Sequence, residues 1–314
     1  MEAEAEFKPA VPLGEMPVAE AAAKLRAMGE EEVADALEMP NSETGERPSN
    51  FGPFASLLLP RRANLYMTRN HVWGFLPDTA QSVEQIPISS PTMIEGDATL
   101  RNSHLVLRLD RLRVASYPGG GSHHVLFEFT SAHHTARGMQ QVRFNTTCIV
   151  REGEDAAIVG YPIFVGLGVG QEGIVISGRT VNVKNDDDLG ILSLINSDVF
   201  KTGLKLASTF QPALAPIGQL VFALTESMGK AARNAVVQNF AIGLDFGNTA
   251  MGARLREGTY LATQVPPPLD VAWDWEEWTL DRHNSKIVRR DDRTAVFPYN
   301  YIAISVSRYH TPTA

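Results

Sequence analysis

Residues 156–183, AAIVGYPIFVGLGVGQEGIVISGRTVNV, decide the fold that this sequence predicts. From Ile163 onward, bulky apolar residues alternate with Gly166, Gly168 and Gly170. A period of two is typical of a β-strand, because successive side chains point to opposite faces. The pattern predicts a β-hairpin with one bulky face and one nearly bare face. Another group could approach the backbone closely on the bare face.

The rest of the chain is also rich in predicted strands, several of them separated by clusters of Gly, Pro, Asn and Asp. Many strands with little helix between them indicate a sandwich or barrel rather than an alternating β/α fold. We therefore predict a mainly β protein with an antiparallel β-sandwich-like domain over residues 51–314. The predicted strands are 64–67, 72–76, 103–109, 112–116, 123–130, 141–150, 156–165, 174–183, 240–246, 258–265, 285–288 and 299–306.

One long helix, at about residues 212–238, is predicted as an insertion among these strands. Its apolar seam consists of Leu214, Ile217, Val221, Leu224, Met228, Ala231 and Ala235, at alternating helical spacings. The opposite face carries Gln219, Glu226, Arg233 and Gln238. We expect the seam to cover the β domain; the alternative is a seam that binds a second copy or a partner.

Residues 1–50 are predicted to form a separate acidic unit, a small helical pair followed by a proline-rich linker. Pro17 suits a first helical turn, and Gly29 suits the end of that helix. The pair has few bulky apolar residues and would be marginal alone, so we expect it to dock on a partner. Leu25 and Leu37 are its candidate partner contacts.

Composition excludes several classes of function. The net charge is -8 and the pI is about 5.5, which argues against nucleic acid as a partner and disfavours binding to anionic membranes. There is a single cysteine, and the acidic N-terminus lacks the apolar run of a signal peptide. We therefore expect a cytoplasmic protein.

Two histidine pairs invite a metal-site hypothesis, His123 with His124 and His133 with His134. If one strand joins them, roughly 33 Å separates the pairs, which is too far to share one ion. We expect these histidines to lie near strand ends, close to solvent, and predict no metal site and no cofactor.

The alternative metal hypothesis is calcium at Asp186, Asp187 and Asp188. Consecutive aspartates more often form a solvated turn, which is the interpretation we favour. Cys148 lies in a strand-like context with no aligned base, and we interpret it as a buried structural cysteine.

The sequence WDWEEW at residues 273–278 is the sharpest surface candidate. Clustered tryptophans beside carboxylates suit a binding ledge, so Trp273, Trp275 and Trp278 are candidate partner contacts. The structural alternative is a rim that packs onto the β domain.

We therefore predict a non-catalytic, cytoplasmic protein-interaction or assembly module whose partner is another protein, possibly a second copy. One alternative is a membrane-acting effector in which residues 156–183 rearrange into a spanning hairpin. The other alternative is a hydrolase that uses Cys148 or a histidine.

Overall fold

The computed structural model describes residues 10–39, 65–78, 83–136, 138–156, 158–195, 203–206, 214–247, 252–267 and 269–310. Within these residues the protein is mainly β, with several antiparallel sheets and four α-helices. The predicted linker, residues 39–53, lies outside the described residues except for Met39, which follows the second helix.

The helices are short except for the last. The α-helices are α1 (Val18–Ala27), α2 (Glu31–Glu38), α3 (Asp186–Ile195) and α4 (Leu214–Lys230). Four 3-10 helices accompany them: η1 (Leu13–Glu15), η2 (Leu65–Met67), η3 (Ala98–Leu100) and η4 (Trp275–Glu277). The predicted strand at 64–67 is thus wrong where it is described, because residues 65–67 form η2.

The largest sheet has six strands, and its neighbours pair antiparallel except for the last two. In spatial order they are β1 (His71–Pro77), β11 (Gly258–Gln264), β14 (Tyr301–Arg308), β3 (His104–Arg113), β6 (Tyr161–Gly168) and β8 (Leu204–Lys205).

A second sheet has five strands: β10 (Ala253–Arg254), β9 (Asn234–Asp245), β7 (Ile174–Val183), β4 (Ser122–Thr135) and β5 (Gly138–Arg151). A third, small sheet joins β13 (Lys286–Arg289), β12 (Trp278–Asp281) and β2 (Gln85–Pro87).

Residues 156–183 do not form the predicted hairpin. Their strands, β6 and β7, belong to different sheets: β6 pairs with β3, and β7 pairs with β4 and β9. Gly166 interrupts the period of two as a bulge, since Leu167 and Val165 pair with consecutive residues of β3 and Gly166 has a φ of 81°. The bare face is filled from β4, because a Cβ on Gly168 would lie 1.9 Å from the His134 carbonyl oxygen.

The main core takes apolar side chains from both large sheets and from the N-terminal helices. Leu25 of α1 and Ala34 of α2 are fully buried in it, and Val33 is nearly so. The helical pair is therefore packed into the same core as the strands in this structure. A second core cluster, rich in aromatic residues, includes Trp275, Trp278 and Phe297.

Helix α4 differs from the predicted one in its length and in one face. It ends at Lys230, and Ala235 belongs to β9. Val221 and Met228 are buried as predicted, but Glu226 is also completely buried. Gln238, expected on the polar face of the helix, is instead a buried residue of β9.

Glu226 is buried because the five-stranded sheet offers it charged and polar partners. Its Oε1 lies 2.5 Å from Arg179 Nη1, and its Oε2 accepts a hydrogen bond from the Ala10 backbone N–H. Arg179 Nη2 in turn lies 2.9 Å from Glu128 Oε2. Helical periodicity in the sequence cannot reveal charged partners that lie on distant strands. The prediction that Glu226 lies on the polar, solvent-facing side of the helix was therefore wrong.

Two further local predictions are corrected. Asp186, Asp187 and Asp188 form the first turn of α3 rather than a turn between strands, where carboxylates interact favourably with the helix dipole. His123 and His133 are buried rather than near solvent.

Candidate functional site

Strand β9 carries the clearest open sheet edge near a cavity. At one end of this edge, the Asp245 carbonyl accepts a hydrogen bond from the Leu255 backbone N–H. Backbone groups of a strand alternate in direction, so Asn239, Ala241 and Gly243 direct their N–H and C=O groups to the same edge as Asp245. The Gly243 carbonyl is taken up by β10, which pairs in parallel with β9 at Leu244 and Asp245. Among the described residues, no backbone group pairs with Asn239 or Ala241 at this edge.

The gap in this edge has defined ends. On one side β10 pairs with β9 at Leu244, and on the other Pro12 forms a β-bridge with Val236. The Val237 carbonyl is also occupied, because it accepts a hydrogen bond from Gln264 Nε2 at 3.0 Å. Residues 238–242 between these points correspond to roughly 17 Å of extended strand. The gap is long enough for one short added strand.

Small, exposed side chains line the gap. Asn239, Ala241 and Gly243 are all exposed. A Cβ built on Gly243 would meet no atom within 4 Å. The edge also lacks the features that commonly block strand pairing, since residues 237–243 contain no proline and no charged side chain.

A cavity of about 430 Å³ lies beside this gap, between β9 and β1 of the other large sheet. We call it the edge cleft. Its lining residues are Arg69, Asn70, His71, Val72, Trp73, Asn239, Phe240, Ala241 and Asp270. Because β9 residues of the gap line this cavity, a strand added at the gap would lie beside it.

Aromatic rings form one part of the edge cleft. The Phe240 ring centroid lies 5.9 Å from that of His71 and 5.8 Å from that of Trp73. Gly178 makes room for Phe240, since a Cβ there would lie 2.6 Å from the Phe240 ring. Trp275 Nε1 donates a 2.8 Å hydrogen bond to the Trp73 carbonyl and so fixes this part of β1.

Two buried polar atoms of the edge cleft have no hydrogen-bond partner among the described residues, His71 Nε2 and Asp270 Oδ1. Burial lowers the pKa of His71 to about 4, although the Arg69 backbone and the Gln238 side chain act in the opposite direction. His71 is therefore neutral near pH 7. The other Asp270 oxygen, Oδ2, accepts a hydrogen bond from Asn70 Nδ2.

The residues that the sequence singled out for partner binding lie elsewhere. Trp275 and Trp278 are 6% and 7% exposed and belong to the aromatic core cluster. Trp273 is partly buried, with its ring centroid 5.2 Å from that of Trp275. Leu25 is fully buried, and Leu37 packs against the main core. Leu25, Trp275 and Trp278 thus pack inside the protein in this structure, whereas Leu37 and Trp273 are partly exposed.

The surroundings of the candidate catalytic groups shift the pKa values of Cys148 and His123. Burial raises the pKa of the Cys148 thiol to about 12. Burial, followed by the Lys184 charge, lowers the pKa of His123 to about 4. His133 Nδ1 accepts a 2.8 Å hydrogen bond from the Gly168 backbone N–H, so its ring is held by β6.

The histidine pairs lie at opposite ends of one strand, β4, as their spacing required. Within the part of the chain that the structure describes, no group of three or more His, Cys, Asp and Glu side chains is arranged to hold a metal ion. No helix in that part combines the length and apolar character needed to cross a membrane.

Sequence reasoning missed the edge cleft. It predicted a strand at 240–246 but could not identify which edge of β9 lacks a neighbour. The signal, in retrospect, is the alternation of Asn239, Ala241 and Gly243 with the apolar Phe240 and Ile242. Small residues at exposed strand positions permit close approach of another backbone.

No protein-family model, no curated protein and no solved structure matches this chain.

Proposed function

We propose that this protein is a non-catalytic interaction module that takes up an extended segment of another protein as an additional strand on β9. The observation that carries the proposal is the open edge at Asn239 and Ala241, placed beside the edge cleft. Unpaired strand edges are templates for pairing with another chain. In such complexes main-chain hydrogen bonds supply affinity, and adjacent pockets for alternate side chains supply specificity.

The arrangement of the two large sheets favours this mode of binding. We propose a sandwich-like domain in which both sheets contribute to one core, with α4 as an insertion between β8 and β9. Phe240 of one sheet and Trp73 of the other then close the core at the edge cleft. A rigid edge of this kind orders little of the protein upon binding, which reduces the entropic cost of association.

A non-catalytic role also agrees with the chemistry of the candidate nucleophile and bases. A thiol with a pKa near 12 is protonated at neutral pH, so Cys148 would be a poor nucleophile. His123 has a pKa near 4 and would therefore be a weak base. We further propose a cytoplasmic location, supported by the single cysteine and the acidic composition.

The proposal is tested by Ala241→Pro. Proline removes the Ala241 N–H, which points to the open edge and has no partner among the described residues. The pairing of β9 with β7 uses the other side of the strand, so we expect the variant to fold. A phage-displayed library of random peptides of about nine residues, long enough to span the gap, is selected in parallel on the wild type and on the variant.

We expect the wild type to enrich peptides that Ala241→Pro does not bind. Ala241→Thr is the matched control, because it keeps the N–H and should retain binding. Should Ala241→Pro unfold, hydrogen exchange at the Ala241 amide decides instead: an enriched peptide should slow it in the wild type. Absence of enrichment on the wild type, or unchanged exchange at Ala241 in the complex, would contradict strand addition.

A further inference from the structure

We propose that His104, His133 and His134 form an acid-sensitive contact between the two large sheets, which we call the histidine latch. It lies at the ends of β4 and β6 and does not depend on the open edge of β9. Its central interaction is a 2.8 Å hydrogen bond that the Gly168 backbone N–H donates to His133 Nδ1. Gly168 belongs to the six-stranded sheet and His133 to the five-stranded sheet, so this bond connects the two sheets.

The backbones of β4 and β6 lie in direct contact around this bond. A Cβ on Gly168 would lie 1.9 Å from the His134 carbonyl oxygen, and a Cβ on Gly170 would lie 2.7 Å from the His134 ring. Glycine permits such an approach because it has no side chain. His104 of β3 is the register partner of Gly168, which places a third imidazole at this contact. Residues 161–170 on the β6 side carry no charged side chain.

Protonation of His133 would remove the acceptor of the central hydrogen bond. A neutral imidazole has one donating and one accepting nitrogen, whereas both nitrogens of the cation donate. Because Gly168 contributes an N–H, Nδ1 is the accepting nitrogen, and a proton on it would place two donors 2.8 Å apart. His133 is only 5% exposed. A buried cation without a partner is costly, so protonation favours opening of the histidine latch.

The neighbours of His133 add repulsion as the pH falls. Burial, followed by the charges of His104 and His134, lowers the pKa of His133. The residue opposite His133 on β5 is the uncharged Gln140. Each imidazole that takes up a proton repels the others, and this repulsion is relieved when β4 and β6 separate. Acidification therefore acts on this contact in two ways, through the lost hydrogen bond and through charge.

The test compares two adjacent amides whose acceptors differ. The Gly168 N–H donates to the titratable His133, whereas the Val169 N–H donates to the Ser103 carbonyl at 3.0 Å. Hydrogen exchange of both amides is measured by NMR on the full chain between about pH 7 and about pH 4.5, and each rate is converted to a protection factor with the intrinsic rate at that pH. We expect the protection of Gly168 to fall at least about tenfold more than that of Val169. Equal losses would indicate general destabilisation and would overturn the inference.

His133→Asn separates the hydrogen bond from other effects of pH. The Asn Oδ1 takes a position close to that of Nδ1 and accepts a hydrogen bond at every pH in this range. In this variant the protection of Gly168 relative to Val169 should stay constant as the pH falls. A decline like that of the wild type would show that His133 is not the titrating acceptor.

His104→Gln tests the repulsion and does not depend on whether His133→Asn folds, because His104 is exposed. Loss of the positive neighbour should make His133 easier to protonate, so the midpoint of the Gly168 transition should move to higher pH. His283→Gln, at another exposed histidine, is the matched control and should leave the midpoint unchanged. The same midpoint in both variants would overturn the role of His104 in the histidine latch.

Discussion

Replacement of Glu226 is the most informative perturbation of the folded state. Glu226 is completely buried between α4 and the five-stranded sheet, where it contacts Arg179 and the Ala10 backbone. In Glu226→Ala, Arg179 loses its 2.5 Å contact and keeps Glu128 as its carboxylate partner. Removing one member of a buried ion pair costs about 3–5 kcal/mol, because the remaining charge stays desolvated.

The retained Glu128 contact should place the cost of Glu226→Ala at the lower end of that range, about 3 kcal/mol. Glu226→Gln keeps the side-chain volume and one oxygen acceptor and loses the charge, so we expect about 1–3 kcal/mol. The assay is urea unfolding followed by circular dichroism, with the free energy of unfolding taken by linear extrapolation.

Ser227→Ala is the matched control, since Ser227 is the exposed neighbour of Glu226 on α4. Its effect should stay within about 0.5 kcal/mol. A cost below about 1 kcal/mol for Glu226→Ala would refute the reasoning, because such values are typical of exposed ion pairs. It would mean that Glu226 faces water, as helical periodicity alone suggests.

Three other predictions concern the edge, the N-terminal helices and pH. The amide of Ala241 should exchange with deuterium much faster than that of its neighbour Ile242, measured by NMR, and equal protection would mean that the edge is covered. Leu25→Ala should lower the free energy of unfolding by about 2–5 kcal/mol, since Leu25 is fully buried in the main core; an effect near zero in urea unfolding would make α1 a detachable element after all. Burial lowers the pKa of both His71 and His123 from 6.5 to about 4, so the unfolded state binds more protons in that interval and stability falls as the pH drops through it. Urea midpoints should therefore be lower near pH 5 than near pH 7, and a reversed order would contradict neutral, buried imidazoles.

The elements that could be predicted from sequence are those with a local signal. The strand at 174–183 has the predicted bounds, and the strand at 258–265 differs by one residue. Alternation of apolar side chains reflects burial of one face of the strand. It is therefore present in the sequence whichever strand lies beside it in the sheet. Helices α1 and α2 were likewise predictable, because Pro17 and Gly29 mark the ends of the first one.

Pairing and burial depended on residues far apart in sequence. Residues 156–183 form strands as predicted, but β6 and β7 entered different sheets because β3 and β4 supplied their partners. Glu226 is buried because Arg179, on a distant strand, compensates its charge. Neither fact leaves a periodic trace in the sequence.

The sequence by itself determined that this is a mainly β protein with helices at its N-terminus and between late strands. The tertiary structure alone decided which strands lie beside β9, and hence that Asn239 and Ala241 form an open edge next to the edge cleft. The physical reason is that hydrophobic periodicity reports which face of a strand is buried. An unpaired edge depends on backbone N–H and C=O groups, which point along the plane of the sheet. Side-chain patterns do not record whether those groups have a partner.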